Sequence, residues 1–310
     1  MKHFDVVAFG EALIDLVATA PTDSLFDAAA LVPRAGGAPA NVAVGVARLG
    51  KRSAFIGKVG ADDFGVGLRH LLRTEGVETR GVVTDPSAHT TMALVGVSAA
   101  GEPRFTFASG AHAALMPQEV DQTVLAAGRI LACGSVMLAH PQARATLLAT
   151  LARARAAGMC IAYDVNWRPA LWGDVTAGLA TIREPLTQID LLKMNAAELR
   201  LVTGTTDLMQ GLAQVATSAS LVVVTRGAEG CCYRLGTTLG SVAGVTLGPV
   251  IDTIGAGDAF LAALLAELPD DLATLSVPQL EGLLARACRA GAISVTRRGA
   301  IASLPVAADM

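Results

Sequence analysis

The stretch Asp252-Thr253-Ile254-Gly255-Ala256-Gly257-Asp258-Ala259-Phe260 decides how this chain is read. It follows an apolar run and opens the helix-like segment Ala259-Phe260-Leu261-Ala262-Ala263-Leu264-Leu265-Ala266. Two glycines ahead of a helix let backbone N–H groups converge on one point, which also feels the positive end of the helix dipole. A phosphoryl group in transfer suits such a nest. A carboxylate would repel a phosphate that is merely bound, so Asp258 points to a further task. Taking the proton from an attacking hydroxyl is the natural one. The plain alternative is that Asp258 caps the helix and the glycines make a tight turn. The rest of the chain has to decide between them.

Upstream, Val6-Val7-Ala8-Phe9 is a β-rich run ending at Gly10-Glu11, with Asp15 close behind. If that strand enters a parallel sheet, Asp15 lies near its carboxyl end, where such folds bind ligands. Gly36-Gly37-Ala38-Pro39-Ala40-Asn41 is a turn cluster, and a helical pattern runs from Val42 to Leu49 until Gly50. The glycine pair permits close backbone approach to a ligand, and the Asn41 amide can bond a sugar hydroxyl; equally, Asn41 can be a simple N-cap. Residues 90–98 and 103–108 flank Ala99-Ala100-Gly101-Glu102 and suit a β-hairpin that interrupts the α/β alternation, either a lid or an edge extension. From Ile130 onward strands and helices alternate regularly to a long final helix, Pro278 to Val295. That spacing predicts an α/β fold with a doubly wound, mostly parallel sheet. With no linker, repeat or low-complexity tract, residues 1–310 are expected to form a single domain with a small β-lid at about 90–108, aided by nearby N-terminal segments.

Composition bounds the function. Hydrophobic residues make up 52% and charged residues 16% of 310 positions, which argues against disorder. A net charge of −3 advertises no broad surface for nucleic acid, so an anionic ligand needs local charge. The five cysteines (Cys133, Cys160, Cys231, Cys232 and Cys288) include no C-x-x-C pair, which favours a reduced, cytoplasmic protein over a disulfide framework or zinc site. No signal-peptide-like stretch or membrane span is expected. The Walker P-loop, the dinucleotide fingerprint after the first strand, H-E-x-x-H and G-x-S-x-G are all missing.

Three polar clusters fall just beyond predicted strands: Asp164-Val165-Asn166-Trp167-Arg168-Pro169, Asn195-Ala196-Ala197-Glu198 and Thr225-Arg226-Gly227-Ala228-Glu229-Gly230. Carboxyl ends of parallel strands share one rim, so the clusters should meet there. Each has a bland alternative: a capping box for Asn195 and Glu198, a solvated turn at Arg168, strand termination at Gly227 and Gly230. Their joint placement with the Gly255–Asp258 nest favours chemistry.

Taken together, these motifs resemble the ribokinase-like (PfkB) family of carbohydrate kinases. Gly36-Gly37-Ala38-Pro39-Ala40-Asn41-Val42-Ala43 looks like its N-terminal signature, the stretch from Asp252 to Phe260 like its C-terminal one, and Asn195-Ala196-Ala197-Glu198 matches its N-x-x-E motif. The resemblance implies transfer of the γ-phosphoryl group of ATP to a sugar hydroxyl. It makes Asp258 the catalytic base and the amides of Gly255, Ala256 and Gly257 the anion hole. Asp15, Gly36, Gly37 and Asn41 would hold the sugar, with Phe105 and Arg168 facing it from the lid and from the loop after the strand Cys160–Tyr163. Asn195 and Glu198 would organise Mg²⁺ through water. Thr225, Gly227, Gly230 and the segment around Cys288 would line the nucleotide site. A K⁺ site would draw on Asp252, Ile254, Ser294, Arg297, Gly299 and Ser303, largely through carbonyls. The lid would exclude water on closing and pair between subunits as a homodimer. Gly10-Glu11-Ala12-Leu13-Ile14-Asp15 and Asp164 to Trp172 look most like fructokinases. The second stretch also resembles 2-keto-3-deoxygluconate kinases, whose substrate carboxylate would need Arg104 or Arg168. A non-catalytic sugar-binding protein on the same scaffold is the alternative from another class.

Overall fold

Runs such as Leu221-Val222-Val223-Val224 and Val6-Val7-Ala8-Phe9 are apolar at every position, and every one of these side chains is fully buried. A strand that is apolar on both faces needs cover on both sides, which is the situation of a parallel sheet between helices. The computed structural model, which describes residues 2–98 and 103–310, has that arrangement.

The strands in chain order are β1 (Phe4–Phe9), β2 (Leu13–Ala18), β3 (Leu31–Gly36), β4 (Ser53–Gly60), β5 (Val82–Asp85), β6 (Met92–Val97) and β7 (Pro103–Ala108). They continue with β8 (Gly128–Gly134), β9 (Cys160–Asp164), β10 (Leu191–Asn195), β11 (Leu221–Thr225), β12 (Cys231–Leu235) and β13 (Thr238–Val242). The main sheet has nine strands in the order β13-β12-β11-β10-β9-β8-β1-β4-β5. From β11 to β5 all neighbours are parallel, and β12 and β13 close the edge as an antiparallel pair. The chain moves outward from β1 to β5 and then returns to β8 on the other side of β1. That reversal makes the carboxyl ends of β1 and β8 the expected place for a ligand.

Side chains alternate between two cores. Val6 and Ala8 of β1 pack with the helices Ala38–Arg48, Ala256–Glu267 and Val277–Ser294. Val7 and Phe9 face the other way, toward the helix Pro141–Ala156 and its neighbours. Two of the first three helices approach unusually closely. A Cβ on Gly45 would lie 2.6 Å from the Ala262 Cβ, so glycine at 45 lets the helix Ala38–Arg48 lie directly on Ala256–Glu267.

A second sheet of four strands, β3-β2-β6-β7, stands apart. β2 and β6 pair in parallel and the outer pairs are antiparallel. The hairpin expected at 90–108 is β6 and β7, in register from Met92↔Ala108 to Val97↔Pro103; its proposed turn, 99–102, lies outside the described residues. The N-terminal contribution is larger than expected. Asp15 is not at the end of the first sheet strand but within β2, opposite Arg34. The chain leaves the main sheet at Gly10, where a Cβ would sit 2.6 Å from Pro39 Cγ. Asn41 is also not an N-cap. Gly37 caps its helix with a φ of 102°, which places Asn41 one turn inside, almost fully buried.

The Gly45–Ala262 contact gives a direct test. Gly45→Ala should lower stability by about 1–3 kcal/mol through overpacking and reduce turnover with it, because the same two helices carry Asn41 and Asp258. Adding Ala262→Gly should restore much of both, read by thermal unfolding and steady-state rates; a Gly45→Ala protein that melts and turns over normally would show the contact to be slack.

Candidate active site

The helix Ala256–Glu267 begins at Gly255, whose φ of 84° is left-handed and whose missing Cβ leaves room for Ala300 Cα, 3.0 Å from where it would be. Its first-turn amides therefore open toward solvent without a side-chain cap. Asp258 sits in that turn and accepts a hydrogen bond from Asn41 Nδ2 at 2.7 Å, so the two signature stretches, 217 residues apart, meet side chain to side chain.

Below the nest lies Lys193, the single charge in the apolar run of β10. A Cβ on Gly257 would lie 2.9 Å from its Nζ, so glycine there leaves the ammonium facing the nest. Lys193 is buried and pairs with Asp164 at the end of β9, Nζ to Oδ2 2.7 Å. Burial pulls its pKa down, but Asp164, Glu198 and Asp258 outweigh that and hold it above the usual lysine value. The group stays cationic where a phosphoryl would gather negative charge.

The carboxylates around this point behave oppositely. Burial pushes Asp258 up to about 6, against the pull of Asn41, Lys193 and Arg168. Burial likewise lifts Asp15 to about 6 and Glu11 to about 8. Glu11 accepts from the Ala38 amide through Oε1 at 3.2 Å, while its buried Oε2 has no partner. Gly36 is bare because a Cβ there would run into the Asp15 carboxylate, and Gly37 because a Cβ would sit 2.5 Å from the Glu11 carbonyl oxygen. Asp15, Gly36, Gly37, Asn41 and Asp258 thus border one space. Arg168 reaches the same field: its charge acts on Glu11, Asp15 and Asp258, and its guanidinium lies 5.8 Å from the Phe105 ring centroid. Phe105 and Phe107 stack on one face of β7. Arg104 points the other way and donates to the Asp23 carbonyl at 2.8 Å, which removes it as a partner for a substrate carboxylate.

Asn195 and Glu198 form a reciprocal capping box: Glu198 N–H donates to Asn195 Oδ1 at 2.9 Å and Asn195 N–H to Glu198 Oε2 at 2.8 Å. The bland alternative is therefore present, but the acid does more. Glu198 is buried and its Oε1 accepts from the Trp167 amide at 2.7 Å, tying this loop to the one carrying Arg168. Asn166, left-handed at φ 41°, turns the chain so that this amide can point at Glu198. Burial and Asp164 raise the Glu198 pKa.

Beside the nest a cavity of about 270 Å³ opens. Thr225, Gly227, Gly230 and Cys288 line it as expected, together with Ala256 and Gly257 of the nest itself. Val245, Leu247 and Val250 add an apolar wall from the 244–250 segment. Asn195 is not part of that lining; it pairs in register with Thr225 on the next strand. A larger open cleft of about 660 Å³ lies at the amino ends of β1 and β4, the wrong end of the sheet for this chemistry, and its Arg52 and Arg80 are paired with Asp5 and Glu78. The residues expected around K⁺ do cluster. Asp252 accepts from the Ile254 amide at 3.0 Å and the Gly299 amide at 2.9 Å, and Ser294 and Ser303 hydroxyls lie 2.7 Å apart. The Arg297 side chain is committed to Asp309 instead, at 3.0 Å, so only its backbone remains for such a site.

The two signature segments, the anion nest and the cavity now coincide, and residues 3–307 match the pfkB family of carbohydrate kinases. The chain belongs to this family. It is 41% identical over 311 residues to the probable fructokinase-7 of Arabidopsis thaliana, covering 97% of this chain and 89% of that one. Among solved structures, a fructokinase with bound ATP from Xylella fastidiosa superposes with a TM-score of 0.88 at 31% identity, covering 100% of this chain and 97% of the other. A fructokinase double mutant from Vibrio cholerae O395, in fructose-, ADP- and potassium-bound form, superposes with a TM-score of 0.84 at 30% identity, covering 97% and 94%.

Lys193, Asp164 and Glu11 were not among the expected site residues of this carbohydrate kinase. A lysine inside Leu191-Leu192-Lys193-Met194 was the available signal for the first, since an ion in an apolar strand must find a partner.

The raised Asp258 pKa has a stability consequence. Its folded value of about 6 lies above the unfolded value near 3.9, so ionising it costs folding free energy as pH rises between the two. Asp258→Asn keeps the acceptor for Asn41 without the charge. The variant should melt about 2–5 °C above wild type at pH 7–8 and converge with it below about pH 4. Equal melting curves at both pH values would refute the strain.

Proposed function

We propose that this carbohydrate kinase is a fructokinase, transferring the γ-phosphoryl group of ATP to D-fructose to give fructose 6-phosphate. The observation that carries the reading is the Asn41–Asp258 hydrogen bond at the mouth of a helix whose first residues also wall the 270 Å³ cavity. One carboxylate then serves both substrates. In the proposed step the sugar hydroxyl oxygen attacks the γ-phosphorus, the bond to the ADP oxygen breaks, and the hydroxyl proton passes to Asp258. Asn41 orients that carboxylate. The amides of Gly255, Ala256 and Gly257 and the Lys193 ammonium receive the charge that spreads over the phosphoryl oxygens.

Fructose is favoured over a keto-deoxy acid by the lid. Of the two arginines considered for a substrate carboxylate, Arg104 is bound to Asp23, and Arg168 lies over Phe105. The relatives named fructokinase point the same way. For Mg²⁺ the donor chemistry fits: Asp164 has a buried Oδ1 without a partner, and Glu198 is a buried acid held by two backbone amides. Among the described residues no three His, Cys, Asp or Glu side chains converge, which suits an ion that keeps most of its waters and substrate phosphates as ligands. When bound, Mg²⁺ would neutralise phosphate charge. The Asp252–Gly299 framework is the place for K⁺, which would reinforce the nest. We further read the four-stranded sheet as the lid of a single domain and as the contact between two subunits, where the fully exposed Phe26 and the exposed Val32 lie. No helix among the described residues is long and apolar enough to cross a membrane, and all five cysteines are free, as a cytoplasmic enzyme would have them.

Coupled ADP release on a sugar panel tests the assignment. D-Fructose should be the best acceptor; a higher kcat/KM for 2-keto-3-deoxygluconate would overturn the choice of substrate. In the same assay Asp258→Asn should lower kcat by about 10²–10⁴-fold with little change in sugar KM. Wild-type kcat/KM should fall as pH drops through about 6, where the free enzyme's Asp258 takes up its proton. A variant that keeps its turnover would remove Asp258 as the base.

A further inference from the structure

The nucleotide cavity contains one group that phosphoryl transfer does not use. Cys288, half-buried on the helix Val277–Ser294, faces the cavity, and its sulfur lies 3.9 Å from that of Cys231, fully buried at the start of β12. We propose that Cys288 and Cys231 are a peroxide-sensitive thiol pair in the cavity wall, and that their disulfide closes the site to nucleotide. The closure rests on the nucleotide assignment above; the bond does not.

The two thiols are unequal in the way such a pair needs. Cys231 is shut away from solvent, and its sulfur is hydrogen-bonded to that of Cys288 at 3.9 Å. That hydrogen bond is the main reason Cys288 is held below the usual cysteine pKa while Cys231 is pushed far above it. The other three cysteines have no such partner: burial pushes Cys133 and Cys160 up to about 12 and raises Cys232. Cys288 is also the one that opens on a cavity large enough to admit a peroxide.

The chemistry balances in two steps. The Cys288 thiolate attacks one oxygen of hydrogen peroxide, the O–O bond breaks, and hydroxide leaves a sulfenic acid. The Cys231 sulfur then attacks the Cys288 sulfur, the S–O bond breaks, and water departs with the Cys231 proton. Two thiols and one peroxide become one disulfide and two waters.

Closing the bond draws the sulfurs from 3.9 Å to about 2.05 Å. On the β12 side the backbone is closely packed: a Cβ at the preceding Gly230 would collide with the Val242 carbonyl and the Gly244 amide. Closure then moves the helix or turns Cys288. Gly291 and Ala292, one turn further on, line the same cavity, and Gly291 lies against the Ala256 carbonyl, with 3.3 Å between that oxygen and a Cβ placed there. A shift of the helix would reach both the cavity wall and the start of the helix Ala256–Glu267, and a turn of Cys288 alone would rearrange the cavity wall.

The test treats the full-length protein with hydrogen peroxide and maps non-reduced peptides by mass spectrometry. A Cys231–Cys288 linkage should appear, slow in saturating ATP, with the KM for ATP raised at least fivefold, the sugar KM unchanged, and both reversed by dithiothreitol. Cys231→Ala should lose the linkage and the reversible KM change, whereas Cys232→Ala should keep both. No linkage in wild type, or a linkage that leaves the ATP KM unchanged, overturns the proposal. The mapping reads the bond whether or not ATP occupies this cavity; failure of the reduced protein to saturate with ATP would count against the nucleotide assignment instead.

Discussion

One hydrogen bond, 2.7 Å from Asn41 Nδ2 to Asp258 Oδ2, requires two helix starts from opposite ends of the chain to point at one place. Neither helix can be there alone. Ala38–Arg48 is brought up by the return of the chain from β3 to the main sheet, and Ala256–Glu267 by its packing on Val277–Ser294. Gly45 against Ala262 sets how close they come. A bulkier residue at either position would part the helices and separate Asp258 from Asn41. Ala259, Ala262 and Ala263 keep part of that core small, while Phe260, Leu261, Leu264 and Leu265 of the same helix fill the rest of it.

The site built at this crossing is electrostatically uneasy. Glu11, Asp15 and Asp258 are buried carboxyls with raised pKa values, opposed by the charges of Lys193 and Arg168 and by the hydrogen bonds from Asn41 and the Ala38 amide. Each acid is expensive to ionise, which a protein selected for stability alone would avoid. A base near the operating pH is what proton transfer from a sugar alcohol needs. The arrangement divides the labour by position. Lys193, pinned by Asp164, faces the gap at Gly257, and the Asp15 carboxylate faces the gap at Gly36. A Cβ at Gly257 or Gly36 would crowd these charged groups, and one at Gly37 would run into the Glu11 backbone carbonyl.

Much of this was legible in the chain itself, for reasons that can be named. Apolar runs bounded by helical patterns announce a covered parallel sheet. Gly255, Gly257 and Asp258 fit an anion nest with an acid in it, though a capped helix after a tight turn fits the same letters, and only the other polar clusters tip the reading. The lid was half legible: β6 and β7 alternate clearly, but β2 and β3 do not, and their pairing depends on Gly10 turning the chain out of the main sheet. Asn41 resembled a cap because it follows a turn cluster, yet the helix starts three residues earlier, at Ala38 after Gly37. Arg104 and Arg168 were equivalent as sequence and are opposites in space, since alternation along β7 sends Arg104 outward to Asp23.

What the chain determined by itself was local: where strands and helices run, where the backbone must be bare, and which acid stands at a helix mouth. Those follow from side-chain periodicity and from sterics within a few residues. What tertiary structure alone decided was company. That Asn41 holds Asp258, that Lys193 and Asp164 sit beneath the nest, that Trp167 ties Glu198 to the loop bearing Arg168, and that Cys231 and Cys288 touch are all pairings between distant segments. Such pairings have no short-range signature, because they depend on how whole elements pack and on which buried charge finds which partner.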